Sequence, residues 1–229
     1  MKPNIVPKQV VSKERVVNHG EVYTRKREVN AMLDLVKQET ERIESRFLEP
    51  ACGTGNFLIE VLDRKLKVIE SRYKRSQLEF ERYCVLAVGS LYGIDILPDN
   101  VETCRNRLFY LFDDRYSALY QKKAKEAMRT VVRFILAKNI VHGDALTLKT
   151  ACDYPEPIVF SEWSLVRTSL FKRRDFAFHQ LLSEEQDDQP LLQQSCSQSD
   201  QGEPVFIPKP VKEFPLTHFL RLPDADTES

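Results

Sequence analysis

The sequence has no long apolar run. Nothing in it approaches the roughly 18 uninterrupted apolar residues that a membrane-spanning helix needs. The opening residues, Met1-Lys-Pro-Asn-Ile-Val-Pro-Lys8, hold no apolar core of the secretory kind. Both absences set the expectation of a cytoplasmic chain without membrane contact. Charge of neither sign is in excess, since 34 Lys and Arg balance 34 Asp and Glu. That balance excludes a uniformly basic nucleic-acid coat while leaving room for a local basic face. The five cysteines, Cys52, Cys84, Cys104, Cys152 and Cys196, form no Cys-x-x-Cys pair, and such a set suits a reduced compartment rather than a disulfide frame or a zinc site. His19, His142, His179 and His218 are scattered without ligand spacing, so no metal is expected. No Ser/His/Asp or Cys/His arrangement is legible, and no segment repeats.

What is present suffices for one α/β domain with its own core: 229 residues, 42% of them hydrophobic and 30% charged. Residues 1–28 read as a polar arm broken by Pro3 and Pro7. Residues 29–163 alternate helical and strand patterns. Met32, Leu35, Val36 and Ile43 mark an amphipathic helix, and Arg46–Pro50 a short buried strand. Phe57, Val61, Leu62, Lys65, Leu66 and Ile69 then recur at helical steps directly after two glycines. A further helix over Gln77–Val88 leads to a strand at Leu91–Ile96. Pro98 stands where a first helical turn tolerates proline, and helix is expected to about Ala137. Strands follow at Asn139–His142 and Pro157–Phe160. This order predicts a mostly parallel, doubly wound sheet with helices on both faces, truncated or atypical after its fourth strand. Residues 164–229 read as an irregular extension: a hairpin-like mixture of Leu, Phe and Arg over Ser164–Leu182, a flexible polar loop over about 183–203, and an extended stretch, Val205–Leu222, carrying Pro208, Pro210 and Pro215.

The chemistry concentrates where the first strand ends. Glu49-Pro-Ala-Cys-Gly-Thr-Gly-Asn-Phe-Leu58 closes a strand and opens a helix, and its glycines let backbone approach a ligand with no Cβ in the way. Two glycines alone would fit any tight turn. However, Asp95 ends the next strand, where an acid can accept both hydroxyls of a ribose, and Asp144 ends the third in His142-Gly-Asp-Ala-Leu146. Ligands of such sheets bind at the carboxyl ends of the strands, and three successive ends here carry suitable residues.

The same residues resemble the S-adenosylmethionine motif of adenine-specific DNA methyltransferases, the branch found in restriction–modification systems. Gly20-Glu-Val-Tyr-Thr24, ahead of an apolar helix, is similar to that family's upstream motif, although Arg25 stands where the family often has proline. The resemblance covers roughly residues 16–150 and implies a Rossmann-like methyltransferase fold. It further implies that Tyr23 and Thr24 help hold the methionine carboxylate. Glu49, Pro50, Ala51, Gly53, Gly55, Asn56 and Phe57 would then face the methionine part. Asp95 would bind the ribose, Ile96 would pack on adenine, and Asp144 would accept from its amine, with Ala145 beside it in the cofactor site.

One part of that pattern is missing. The family's catalytic motif is Asn or Asp, Pro, Pro and an aromatic residue, and this chain contains neither Pro-Pro nor Asn-Pro. At the expected place stands Ile158-Val-Phe-Ser-Glu-Trp163. Trp163 suits either stacking on a flipped base or a place in the core, and Ser161 or Glu162 could accept a hydrogen bond. Lys172-Arg-Arg174 suits either phosphate contacts or a solvated edge. The expectation is therefore an S-adenosylmethionine-dependent adenine methyltransferase that acts on DNA through a complex, with a protein partner supplying the catalytic motif. Two readings stand beside it: a non-catalytic cofactor-binding scaffold or sensor, and a methyltransferase for small molecules or proteins. Partner docking or self-association is expected at Trp163–Phe171, with the proline-containing tail either folding back over it or wrapping the partner.

Overall fold

The computed structural model describes residues 24–182, 197–198, 204–205 and 208–226. Helical periodicity decides most of the first half. α1 (Lys26–Leu35) and α2 (Lys37–Glu41) lead into the short strand β1 (Phe47–Glu49). α3 (Asn56–Tyr73) buries Leu58, Val61, Leu62, Leu66 and Ile69, one stripe at steps of three and four. α4 (Gln77–Gly89) starts where Ser76 Oγ accepts from the Glu79 N–H, a side-chain cap for one of the free amides of the first turn. After β2 (Leu91–Asp95), α5 (Pro98–Tyr120) opens on Pro98, whose missing N–H costs nothing in the first turn. A 3₁₀ turn (Gln121–Lys123) separates it from α6 (Glu126–Asn139), which delivers the chain into β3 (Ile140–Asp144) and β4 (Lys149–Thr150).

β1, β2 and β3 pair in parallel in that order, with β4 antiparallel at the far edge. The register sets Phe47 opposite Leu91 and Asp95 opposite His142, so the carboxyl ends of three strands share one edge. β2 is buried at all five positions, as a central parallel strand covered on both faces must be. On the Gly93 face lie Cys52 and Leu58 of α3. Tyr92 and Ile94 point the other way, into a cluster with Ile158, Phe160 and Phe178.

That second face corrects two expectations. Pro157–Phe160 adds no fourth parallel strand, and this face carries no helix of a doubly wound sheet but the hairpin expected over Ser164–Leu182, which starts already at Val159. β5 (Val159–Arg167) pairs antiparallel with β6 (Leu170–Ala177) in a separate sheet, and α7 (Phe178–Leu182) closes the unit. Proline explains the departure, because Pro155 and Pro157 cannot donate to a ladder, and Pro157 makes only an isolated bridge to Lys149. The tail then continues this sheet: β9 (Lys212–Glu213) and β10 (Thr217–His218) both pair with β6, after the short pair β7 (Ser197–Gln198) and β8 (Pro204–Val205). Phe214, Phe219 and Leu222 of the tail are buried. Trp163 is 4% exposed and Phe171 0%, so the two ends of the stretch expected to meet a partner are packed inside the chain, while Val166 between them is 50% exposed. The hairpin runs across the expected domain limit at residue 163. The flexible loop expected over 183–203 lies, apart from 197–198, outside the described residues. No helix among the described residues is long and apolar enough to cross a membrane.

Candidate functional site

The glycine turn is built by backbone geometry that only glycine adopts freely. Gly53 has φ +52° and Gly55 φ +86°. A Cβ on Gly55 would also stand 2.6 Å from Cys104 Sγ, so α5 packs directly beneath the turn. The Cys52 N–H donates to the Ile94 carbonyl at 2.8 Å and the Gly55 N–H to the Cys52 carbonyl at 2.8 Å, which pins the turn to β2. Hydrogen bonding with the Cys104 thiol, then burial, push the Cys52 thiol pKa far up, so it stays protonated and acts as a packing group. Glu49 ends β1, and burial raises its carboxyl above the ordinary range, partly offset by a bond from the Ala51 backbone.

Asp95 joins the second strand end to the turn. Its Oδ2 accepts from the Gly53 N–H at 2.8 Å, and its Oδ1 from the Leu97 N–H at 2.9 Å and Asn100 Nδ2 at 3.2 Å. Asp95 is 9% exposed as a residue, and these three bonds fix its carboxylate in place. Beside it Ile96 is 51% exposed, with His142 Nε2 3.0 Å from its carbonyl. At the third strand end Asp144 takes the Leu146 N–H at 2.9 Å and Thr147 Oγ1 at 3.1 Å, next to partly exposed Ala145 and a Leu146 that is 94% exposed. The edge thus alternates acids with uncovered apolar side chains on a shelf open to solvent. Pro50 and Ala51 are exposed on it, and Asn56 and Phe57 are half-buried at the start of α3.

The structure brings these expected residues together, with one exception in the upstream motif. Thr24 is present, its carbonyl accepting from Asn56 Nδ2 at 3.4 Å. Tyr23 and the residues before it lie outside the described residues. Arg107 was not anticipated from the sequence. From α5 its Nη1 donates to the Thr54 carbonyl at 2.7 Å, Thr54 Oγ1 at 3.0 Å and Asn56 Oδ1 at 2.8 Å. Its only sequence signal is helical register with Cys104, three residues earlier.

The candidate catalytic residues Ser161, Glu162 and Trp163 lie away from this edge. The Ser161 N–H donates to Asn139 Oδ1 at 3.1 Å and its Oγ to Asp175 Oδ1 at 2.7 Å. Glu162 is paired with Arg46 and, at 3.1 Å, with Arg174. Trp163 stands edge-on to Phe134 with ring centroids 5.9 Å apart, and fills the space above Gly89. Arg46, Gly89 and Asn139 each lie just before β1, β2 and β3, so all three candidates sit at the amino ends of the strands. A rise of about 3.3 Å per residue puts them roughly 10–15 Å from the ligand edge. The basic run is likewise engaged internally: Lys172 pairs with Glu213, buried Arg173 with Asp175 and Asp226, and Arg174 with Glu162. Two clefts accompany the hairpin, one of about 880 Å³ lined by Arg42, Phe47, Tyr83 and Trp163, and one of about 460 Å³ lined by Leu48, Tyr92, Phe160 and Phe178. Neither reaches the glycine turn.

The fold is thus a mostly parallel α/β sheet whose ligand-suited residues gather at one carboxyl edge, the place where open sheets of this kind bind ligands. The chain belongs to the MmeI DNA-methyltransferase domain family, whose model matches residues 23–157, more than half of its length. The matched stretch contains β1–β4 and every candidate cofactor residue, and stops before the β5–β6 hairpin. Neither the curated proteins nor the solved structures include a match.

Proposed function

We propose that this domain binds S-adenosylmethionine along the carboxyl edge of β1–β3, in a Rossmann-like manner, and serves the methylation of adenine in DNA within a restriction–modification system. The observation that carries the reading is the Asp95–Gly53 bond, which ties the acid of the second strand to the glycine turn of the first in a DNA-methyltransferase family chain. The edge also fits the cofactor chemically. Asp95 Oδ2, which accepts one bond, retains acceptor capacity for a ribose hydroxyl, half-exposed Ile96 offers an apolar face to a base, and the glycine turn leaves backbone free to approach the amino-acid end.

When bound, S-adenosylmethionine supplies an electrophilic methyl group. The residues of the chain orient it: Asp95 fixes the ribose, Ile96 and Asp144 fix the base, and the turn with Thr24 holds the methionine end. Methyl transfer of this kind needs donor carbon, acceptor nitrogen and departing sulfur in line, so positioning supplies much of the rate. The groups that grip the target amine come from elsewhere, since Ser161, Glu162 and Trp163 are spent on structure at the opposite end of the sheet. A protein partner that supplies them, and the sequence recognition of DNA with them, completes the enzyme. The absence of Asn-Pro and Pro-Pro also supports a second reading, a non-catalytic cofactor sensor or scaffold in the same system.

Calorimetric titration of the chain with S-adenosylmethionine tests the site. Micromolar or tighter affinity is expected, about 8 kcal/mol at 1 M standard state, and Asp95→Ala should weaken it by about 1–3 kcal/mol. No heat at millimolar cofactor would end the proposal. Tritium transfer to duplex DNA by the chain alone separates the readings further: little incorporation is expected without a partner, and robust adenine labelling would place a working catalytic group in this chain.

A further inference from the structure

The glycine turn has little of its own to hold it open. Its two left-handed glycines flank Thr54, and the turn's own backbone bonds fix only Cys52 and Gly55. The restraint on Thr54 comes from outside. One guanidinium nitrogen, Arg107 Nη1, meets the Thr54 carbonyl, the Thr54 hydroxyl and the Asn56 side-chain carbonyl, all within 3.0 Å. Asn56, whose Oδ1 is thereby occupied, turns its Nδ2 to the Thr24 carbonyl. Three separate segments are therefore joined through one side chain: α5, the glycine turn, and the stretch before α1. The anchor itself is firm, because α5 is 23 residues long and Cys104, one turn before Arg107, is packed under Gly55.

We propose that Arg107 is a positioning residue that holds the amino-acid half of the cofactor site in its binding shape. This rests on the reading that the edge binds S-adenosylmethionine. The division of labour follows from where the bonds go. Asp95 serves the junction of the turn with β2 and, with Ile96 and Asp144, the nucleoside half, and no bond from Arg107 reaches any of them. Charge-assisted donation by a planar guanidinium fixes direction as well as distance, which a flexible ammonium does less well. Loss of Arg107 leaves Thr54 and Asn56 to rotate, and the cost falls on whatever the turn and Thr24 hold.

The experiment compares two ligands on three proteins. Wild type, Arg107→Ala and Arg107→Lys are titrated calorimetrically with S-adenosylmethionine and with 5′-methylthioadenosine, which shares the nucleoside but lacks the amino acid. Arg107→Ala should weaken S-adenosylmethionine by about tenfold or more while methylthioadenosine stays within about threefold. Arg107→Lys should recover part of the loss, because one donor still reaches the Thr54 carbonyl. Equal weakening of both ligands, or unchanged S-adenosylmethionine affinity, would overturn the assignment while leaving the cofactor site standing. Wild type that binds neither ligand overturns the site reading and this proposal with it. Melting curves accompany each titration, and should Arg107→Ala fail to fold, Arg107→Lys carries the same two-ligand comparison.

Discussion

Lys65 shows what a single residue contributes to this fold. It occupies an apolar position in the α3 stripe, is fully buried, and donates from Nζ to the Ile43 carbonyl at 3.0 Å, Ser90 Oγ at 2.5 Å and the Ser45 carbonyl. Burial pulls its pKa down to about 7, against the opposing pull of Glu44 and Glu39. The unfolded chain keeps this amine protonated to about pH 10.4, so between pH 7 and that value the unfolded state binds more protons and stability rises with pH. The gain from pH 7 to 9 should be about 2 kcal/mol. Lys65→Met removes the titration and leaves three acceptors without their donor, so the variant should be less stable and flatter in its pH dependence. Melting temperatures of both proteins at pH 7, 8 and 9 check this, and parallel slopes would refute it. The sequence displayed Lys65 in a helical stripe and gave no hint that three oxygens would converge on it, because those oxygens belong to segments 20 and more residues away.

Among the elements, the hairpin is seated by a missing side chain. Gly89 closes α4 under Trp163, and a Cβ there would lie 2.8 Å from Cδ1 and 3.0 Å from Cγ of the indole. Alanine is the better helix former by up to about 1 kcal/mol, while crowding a close-packed ring costs about 1–3 kcal/mol. Gly89→Ala should therefore lower the melting temperature despite its propensity, and a melt at or above wild type would mean the indole moves freely. The helices themselves were readable, since α3 declares its stripe and α5 its Pro98 start. β5 was readable as a strand but not in its partner, because Pro155 and Pro157 mark a break without saying which sheet the chain enters next. Of the candidate site, Asp95 and Asp144 were legible as strand ends, and Glu49 to Phe57 as a strand end, glycine turn and helix start. Arg107 was hidden, since an arginine on a half-exposed helix face looks the same whether it meets water or a carbonyl.

For the molecule as a whole, the tail decides whether the second sheet survives. Within residues 208–226, Phe214, Phe219 and Leu222 are buried, and Asp226 draws ion pairs from Arg173 and from Lys138 of α6. Three such side chains are worth about 1.5–3 kcal/mol each, a sum comparable with the total stability of a domain, about 5–15 kcal/mol. A chain ending at residue 207 should lose its cooperative melt and bind a hydrophobic dye, whereas a sharp transition near that of the full chain would show the tail to be dispensable.

The two sides of the parallel sheet also differ in how they end, and this gives the architecture a direction. On one side the antiparallel two-residue β4 and the bridge to Pro157 act as a stop. On the other, no strand among the described residues pairs with the outer edge of β1, and Leu48 is 41% exposed. Among the described residues the β1 side is the edge left open to a further strand, as a zipper with a single stop is. A parallel newcomer would finish its run beside Glu49 and the glycine turn and would be remote from Asp144. Anything such a strand carried at its tip would arrive beside the glycine turn, at the opposite end of the edge from Asp144.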